Sequence, residues 1–261
     1  MLYKGVRGRC TQAVGHNCAL LPYDTSFFDF IDDSSLSSAR AIVPLVREIV
    51  PCRSVVDVGC GRGAWLRIFQ EHGVERILGL DGSYVDRAKL LVPQESFRQT
   101  DLAKPFHIEG SFDLVVCLEV AEHLPQSRSA DFVKELCRAA PAVLFSAAIP
   151  GQGGTGHINE QWPEFWSEVF SANAFVRLDP IRPAVLTDSR VAFWYKQNAY
   201  LYVREDLVSR DPRLQKERDL AASQAVQIVS SQRLIPLKSV QGLTGELFSA
   251  VLRSLRRRLG F

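Results

Sequence analysis

The sequence lacks any apolar run of the length that a membrane-spanning helix needs. No stretch of its 261 residues approaches about 20 consecutive apolar side chains. The first residues, MLYKGVRGRCTQAVGHNC, contain no apolar core and no small-residue cleavage site of the secretory type. These absences argue against an integral membrane protein and against a secreted one, so we expect a soluble, cytoplasmic protein.

Paired cysteines and an excess of one charge are also absent. Six cysteines are scattered along the chain, and none belongs to a Cys-x-x-Cys pair, which is typical of reduced cytosolic thiols rather than of a disulfide framework. The 31 basic and 29 acidic residues leave a net charge of +2, which neither requires nor excludes a nucleic-acid partner. With 46% hydrophobic residues, the chain is able to bury a full core.

Short β-rich runs alternate with helical runs through the middle of the chain. Strands are predicted at 54–58, 76–80, 97–99, 113–118, 142–146 and 198–203, and helices at 63–72, 84–90, 128–139 and 163–173. This alternation predicts the α/β class, with a mostly parallel sheet covered by helices on both faces. In such sheets ligands bind at the carboxyl ends of the strands.

Composition divides the chain into three parts. Residues 1–50 are predicted to form an N-terminal arm and a helical lid. Tyr23, Phe27 and Phe28 are expected to form this lid over the cofactor, with Tyr23 in contact with substrate; the alternative is a helix face packed on the sheet. Residues 51–205 carry the alternating pattern and form the main domain. Residues 206–261 turn polar and are predicted to form a mainly helical C-terminal tail.

Residues 55–66, VVDVGCGRGAWL, have the pattern of a strand, a glycine turn and a helix start. Gly59 and Gly61 permit a tight turn and the close approach of a ligand to the backbone. The bare glycine spacing also fits a dinucleotide fingerprint. Asp57 precedes the first glycine, however, and a carboxylate there suits a cationic ligand better than a pyrophosphate.

Two further acidic residues end the next two strands. Asp81, which Gly82 follows, is placed to accept hydrogen bonds from a ribose diol. Asp101, which Leu102 follows, ends the third strand, where an adenine amino group fits. Since the carboxyl ends of parallel strands share one edge, these acids line the same crevice as the glycine turn.

In this order the motifs resemble those of the class I S-adenosylmethionine-dependent methyltransferases. The resemblance covers about residues 54–204, and it implies S-adenosylmethionine as cofactor, with Asp81 as the ribose acid and Asp101 and Leu102 as adenine contacts. It implies that Leu118, at the end of the strand-four motif, lines the methionine part. It also implies a Rossmann-like sheet of seven strands in the order 3-2-1-4-5-7-6, whose last strand is antiparallel.

The segment LEVAEHL places Glu119, Glu122 and His123 directly after the fourth strand, and a glycine-rich loop after the fifth strand returns His157 to the same crevice. Two carboxylates and two imidazoles form a mixed ligand set that suits Mg, Mn or Zn. The set is similar to the metal ligands of the small-RNA 3′-end 2′-O-methyltransferases, and the ubiquinone-biosynthesis O-methyltransferases have a related arrangement.

Three interpretations of these four residues remain open. They bind a divalent ion that activates a substrate hydroxyl, or His123 or His157 acts as a metal-free catalytic acid or base, or the acids start a helix beside a structural histidine.

The loop after the fifth strand also offers substrate contacts. Asn159 and Glu160 are polar and close to His157, so we expect them to bind substrate hydroxyls. Trp162 ends the loop and is expected to touch substrate, whereas the two aromatic residues that follow it at helical spacing are expected mainly in the core.

The runs GGTGHINEQWPEFW and FWYKQNAYLYV resemble bacterial methyltransferases of sugar and cell-envelope biosynthesis. This implies a small-molecule hydroxyl acceptor, on a sugar or glycoconjugate. Residues 246–261 place leucines on one side of a helix and arginines largely elsewhere, which suits contact with the inner face of an anionic membrane. Packing on its own domain or on a dimer mate is the alternative.

Two rival functions remain open. A 2′-O-methyltransferase acting on RNA ends requires a continuous basic groove and RNA binding that falls steeply with salt. A non-catalytic binding module requires a blocked pocket and no stabilisation by cofactor.

Overall fold

The computed structural model describes residues 25–231, and the side chains of residues 33–221. Tyr23 and the amphipathic segment 246–261 therefore lie outside the described residues. Within that range, no helix is both long enough and apolar enough to cross a lipid bilayer.

Seven strands form one sheet with the order β3-β2-β1-β4-β5-β7-β6. The five strands from β3 to β5 in this order are parallel, and β7 is antiparallel to both of its neighbours. The strands are β1 Ser54–Val58, β2 Arg76–Asp81, β3 Phe97–Gln99, β4 Leu114–Leu118, β5 Ala142–Ser146, β6 Phe175–Leu178 and β7 Tyr200–Arg204. The predicted fold class and strand order are confirmed.

Helices cover both faces of the sheet. They are α1 Thr25–Ile49, α2 Ala64–Glu71, α3 Ser129–Ala139, α4 Pro163–Ser171, α5 Ile181–Val185, α6 Phe193–Asn198, α7 Glu205–Arg210 and α8 Pro212–Ser231. One apolar cluster joins α1 and α2 to the sheet, and another joins α3 and α4 to the opposite face. The central strand β4 is a continuous apolar run because both of its faces are buried.

The C-terminal half of α1 packs in the first of these clusters through Ile42, Val43 and Val46. This contact fits the packed-helix alternative for that half of α1. The side chains of Phe27 and Phe28 lie outside the described set, so the proposed lid at the start of the helix stays a prediction.

Two sequence-based assignments of secondary structure were wrong. The predicted helix at 84–90 is reduced to a short 3-10 helix, Arg87–Lys89, because the Asp86 side chain accepts a hydrogen bond from the Ala88 amide and Leu90 is already extended. The predicted strand at 198–203 starts two residues later, because α6 extends to Asn198. The strand β6 was not predicted, since it is four residues long and only half buried.

Candidate active site

The glycine turn after β1 leads into α2 and lies against Val120, which follows the carboxyl end of β4. Gly59 has φ 86°, and a β-carbon placed there would lie 2.2 Å from Cγ2 of Val120. Gly61 has φ 54°, and a β-carbon there would meet no described atom within 4 Å. Only glycine fits the first position, and the backbone at the second faces open space.

Asp81 holds the other side of this turn. Its Oδ2 accepts a hydrogen bond from the Gly61 amide at 2.6 Å, and its Oδ1 accepts from the Gly82 amide at 2.6 Å and from the Tyr84 hydroxyl. Burial raises the pKa of this carboxyl, although these three hydrogen bonds oppose the shift. Asp81, at the end of β2, therefore holds the glycine turn that follows β1 in place.

Tyr84 is a site residue that sequence reasoning missed. Its side chain is 57% exposed, and its ring lies against Gly82, where a β-carbon would approach the ring to 2.3 Å. The available signal was an aromatic residue three positions after the predicted ribose acid, within the segment assigned to a helix.

Asp57 is buried beneath the same turn. It is 2% exposed, and its Oδ2 has no hydrogen-bond partner among the described residues. Burial, followed by the neighbouring Asp81, raises the pKa of Asp57 well above its usual value. An acid in this state suits a nearby hydrogen-bond donor or positive charge.

Asp101 and Leu102 stand beyond the end of β3, as predicted from the sequence. The carboxylate of Asp101 is engaged in its own turn, where it pairs with Lys104 Nζ at 2.9 Å and accepts from the Ala103 amide at 3.1 Å. The hydrogen bond from Lys104 is the main cause that lowers the pKa of this exposed acid. Leu102 and Leu118 are both buried.

Glu119 follows β4 in a left-handed conformation, with φ 55°. Its amide donates to the carbonyl and hydroxyl oxygens of Ser146, at 3.0 and 3.1 Å. Its carboxylate accepts from Gln152 Nε2 at 3.0 Å and from Asn198 Nδ2 at 3.2 Å. Burial raises the pKa of this carboxyl. Sequence reasoning missed both amide residues, because the fold brings them from a loop and from α6.

Glu122, His123 and His157 form a cluster. One potential ligand atom of each lies within 4.8 Å of the others, and the two imidazole rings meet edge to face with centroids 4.8 Å apart. Glu122 is fully buried, and neither side-chain oxygen has a hydrogen-bond partner within the described part of the chain. Three of the four predicted metal ligands are thus brought together, and Glu119 is held beside them by the two amides.

Electrostatics favour the uncharged forms of two cluster members. Burial, followed by the charge of Glu119, raises the pKa of Glu122 well above its usual value. Burial, followed by His157, lowers the pKa of His123. A positive charge placed among these groups would reverse the penalty on the Glu122 carboxylate.

The loop between β5 and α4 is fixed by its own polar residues. The Glu122 carbonyl accepts from the Ile158 and Asn159 amides at 2.9 and 3.0 Å. Asn159 is 3% exposed, and its Nδ2 donates to the Ala121 carbonyl at 3.2 Å and to Ser129 Oγ at 3.1 Å. These internal contacts differ from its predicted role in substrate binding.

Glu160 has contacts of the same internal kind. Its carboxylate accepts from the Gly151 and Gly153 amides at 2.8 and 2.9 Å and lies 3.0 Å from His157 Nδ1. Burial raises the pKa of Glu160, but the hydrogen bonds from His157 and the two amides outweigh it, and the net shift is downward. The carboxylate of Glu160 therefore forms its hydrogen bonds within the loop itself.

The aromatic residues after the loop divide as expected. Trp162 precedes α4 and is 41% exposed, and its contact with substrate stays a prediction. Trp166 is 2% exposed and packs against Phe145 and Phe165 in the core. The difference in burial follows from position, because Trp162 stands outside the helix and Trp166 lies within it.

Comparison with known proteins gives matches to methyltransferases. The profile of a protein family described as a methyltransferase domain matches residues 33–170. A probable chloroplastic tocopherol O-methyltransferase of Oryza sativa subsp. japonica is 39% identical over 113 residues, which are 40% of this chain and 30% of that protein. The chloroplastic tocopherol O-methyltransferase of Arabidopsis thaliana is 38% identical over 97 residues, or 34% of this chain and 27% of that protein. The matched region thus spans less than a third of these relatives.

Solved structures share the fold. The sugar N-methyltransferase KedS8 from a Streptoalloteichus species is 18% identical, with a TM-score of 0.53 over 77% of this chain and 99% of that one. DesVI of Streptomyces venezuelae is 15% identical, with a TM-score of 0.52 over 69% and 95%. Because the family profile covers more than half of the sequence and the strand order agrees, the chain belongs to the methyltransferase domain family and has the class I S-adenosylmethionine-dependent methyltransferase fold.

Proposed function

We propose that this protein transfers a methyl group from S-adenosylmethionine to a hydroxyl group of a small molecule, and that the acceptor is a sugar or a glycoconjugate. The observation that carries the proposal is the placement of two half-sites at the carboxyl ends of neighbouring strands of the sheet. The glycine turn and Asp81 form one half, and the buried acid and imidazole cluster after β4 forms the other. The two relatives from plants, which are 39% and 38% identical to this chain over the matched residues, are both named O-methyltransferases.

The residues around the glycine turn fit the cofactor. The space above Gly61 is open, the unpaired oxygen of Asp57 suits a ligand with a positive charge, and Asp81 suits a ribose diol. When bound, S-adenosylmethionine supplies a methyl group on an activated sulfonium. The chain's own task is then to hold the acceptor oxygen in line with that methyl group and to exclude water.

We also propose that Glu122, His123 and His157 hold a divalent ion. The fit rests on the buried Glu122 carboxyl, whose oxygens have no hydrogen-bond partner among the described residues, and on two imidazoles within reach of it. A mixed oxygen and nitrogen set suits Mn or Zn, and Mg less well. Such an ion supplies a Lewis acid that lowers the pKa of a hydroxyl.

Without an ion, the same histidines provide the proton acceptor. His123 is favoured in its uncharged form by burial, so it is able to take a hydroxyl proton near neutral pH. Either route leaves Glu119 as a neighbour whose carboxylate is oriented by Gln152 and Asn198.

The polar groups beside Glu119 support a polyhydroxyl acceptor. The side-chain oxygens of Gln197 and Asn198 are buried and have no hydrogen-bond donor within the described residues. Together with the Glu119 carboxylate, they form a set of acceptors that suits hydroxyl donors. No arginine or lysine is among the hydrogen-bond partners of Glu119, Gln152 or Asn198 in that part of the chain, which disfavours an anionic group at this position.

Thermal melting with S-adenosylhomocysteine tests the proposal, first with a chelator and then with Mg, Mn or Zn. A ligand at about 100 times its Kd stabilises the native state by about 2.7 kcal/mol, so the melting temperature is expected to rise. Asp81→Ala should lose this rise, and Glu122→Gln should lose only its metal-dependent part. No rise with the wild-type protein would overturn the cofactor assignment, and a rise indifferent to every ion would overturn the metal.

A further inference from the structure

The loop that carries His157 is organised around one carboxylate. Glu160 receives the amides of Gly151 and Gly153 on its two oxygens, and the oxygen that receives Gly153 also lies 3.0 Å from His157 Nδ1. Gly151 and Gly153 have φ 86° and 70°, so both amides turn inward towards Glu160. The carboxylate thereby ties the start of the loop to the histidine near its end.

This contact fixes which ring nitrogen of His157 carries the proton. An ionised carboxylate only accepts hydrogen bonds, and both amide neighbours already donate to it, so Nδ1 must be the donor. The proton of a neutral ring then resides on Nδ1, and Nε2 keeps its lone pair. Only Nε2 remains able to accept a proton or to bind an ion.

The Nε2 edge of the ring lies against Gly154, which has no side chain to donate a hydrogen bond to it. A β-carbon on Gly154 would lie 2.3 Å from His157 Nε2 and 2.4 Å from Cε1. Gly154 is not among the residues with positive φ, so its backbone does not require glycine. Glycine is needed here because the imidazole packs closely against it, and a side chain at this position would displace the ring.

We propose that Glu160 is a positioning residue, which holds His157 in the Nδ1–H tautomer and presents Nε2 to the crevice beside Glu122 and His123. The role of Nε2, as ligand or as proton acceptor, rests on the proposed function; the tautomer does not. Glu160 thus acts on the acceptor through His157 and not by contact with it.

Nuclear magnetic resonance of ¹⁵N-labelled histidine tests this directly, without cofactor or acceptor and with a chelator present. The chain has five histidines, and the His157 signals are assigned by their loss in His157→Gln. At a pH where the ring is neutral, the wild-type protein should show a protonated Nδ1 and an unprotonated Nε2. A protonated Nε2 in the wild type would overturn the proposal, and this reading needs no substitution at Glu160.

Two variants and a control sharpen the test. Glu160→Gln retains one oxygen for Gly153 and His157 and should keep the tautomer, whereas Glu160→Ala should release the ring to a mixture or to Nε2–H. Glu164→Gln, at an exposed position on α4, should change neither. An unchanged tautomer in a folded Glu160→Ala protein would also overturn the proposal.

Zinc alone gives a second measurement. Loss of a group that orients a metal-binding histidine commonly lowers metal affinity about 10- to 100-fold, and calorimetry should show that loss for Glu160→Ala but not for Glu164→Gln. If the wild-type protein binds no zinc while His157 shows the predicted tautomer, the metal proposal fails and the positioning role stands. If zinc binds and the tautomer is Nε2–H, the metal proposal stands and the positioning role fails.

Discussion

Asp57 is a carboxyl group that the fold buries without a full set of partners. Burial of an ionised acid destabilises the native state, and an unpaired oxygen adds to that penalty. A buried acid of this kind is typical of a binding site, because a residue that binds a ligand is able to lower the stability of the ligand-free protein. The ligand-free protein should therefore gain stability when this acid is removed.

We predict that Asp57→Asn stabilises the ligand-free protein at neutral pH and weakens the binding of S-adenosylhomocysteine. Because the folded pKa of Asp57 lies well above its ordinary value of 3.8, the native state favours the protonated acid. Its stabilising contribution is present below pH 4 and is lost as the pH rises towards the folded pKa, by about 1.4 kcal/mol per pH unit at most. Denaturant unfolding from pH 4 to pH 8 should show a gap between variant and wild type that widens with pH.

Asp113 provides the control of opposite sign. Burial raises its pKa, but the hydrogen bonds from the Arg53 amide and from Ser54 outweigh it, and the net shift is downward. Asp113→Asn should therefore destabilise the protein above pH 4. If Asp57→Asn is less stable than the wild type at pH 8, the account of Asp57 is wrong.

The two glycines of the turn should differ when each is replaced by alanine. Both adopt positive φ, which costs a residue with a β-carbon about 1–2 kcal/mol. Gly59→Ala adds a collision with Val120, whereas Gly61→Ala meets open space. The free energy of unfolding should fall more for Gly59→Ala than for Gly61→Ala. Calorimetry should show that Gly61→Ala weakens cofactor binding more than its small loss of stability would suggest. Equal destabilisation by the two substitutions would contradict the geometry at Val120.

Secondary-structure elements could be predicted where local pattern and burial agree. The strands β1, β3 and β5 have their predicted bounds because each is a compact β-rich run in which local pattern and pairing coincide. The segment 84–90 has helical spacing, but Tyr84 is drawn to Asp81 and Asp86 closes a tighter turn. Such contacts depend on the assembled sheet, so no local pattern signals them.

The site shows the same division between local and assembled information. Glu122, His123 and His157 could be placed together because two neighbouring parallel strands end beside each other. The partners of Glu119 could not, since Gln152 comes from the glycine loop and Asn198 from the end of α6, a helix that the sequence pattern had assigned in part to a strand. Nothing in the sequence indicated that Asn159 and Glu160 bond within the loop and its surroundings, and their contact with substrate stays a prediction.

We predict that Gln152→Ala loosens the loop and reduces methyl transfer by about 10-fold or more, while the affinity for S-adenosylhomocysteine stays within about twofold. The substitution removes a donor to Glu119 and the acceptor of the Asn198 amide, but it touches nothing around Asp81. Gln126→Ala, on an exposed turn, is the matched control. A parallel loss of cofactor affinity and turnover would show that Gln152 supports the whole crevice instead.

In the molecule as a whole, the family profile covers only part of the sheet and of the candidate site. The family profile ends at residue 170, yet Gln197, Asn198 and the two antiparallel strand pairings lie beyond it. The residues that we propose to face the acceptor thus come partly from the segment after the shared region. The division into an arm, a main domain and a tail stays a prediction.

The tail gives a prediction for the full chain. We expect residues 246–261, which lie outside the described residues, to bring the protein to anionic membranes through four arginines and a row of leucines. Deletion of this segment should abolish sedimentation with vesicles rich in phosphatidylserine and leave the melting temperature unchanged. Neutral vesicles and raised salt are the controls. A fall in melting temperature on deletion would instead support packing on the protein's own domain.

The position of β7 between β5 and β6 has a consequence for synthesis on the ribosome. A nascent chain that has just completed β6 still has an open edge on β5, because the strand that pairs with both is made last. The residues that we propose to hold the cofactor, up to Leu118, have been made at that stage, whereas Asn198 has not. During this interval β5 is an unpaired edge strand, to which another chain is able to add, and β7 covers that edge only after residue 204 has emerged.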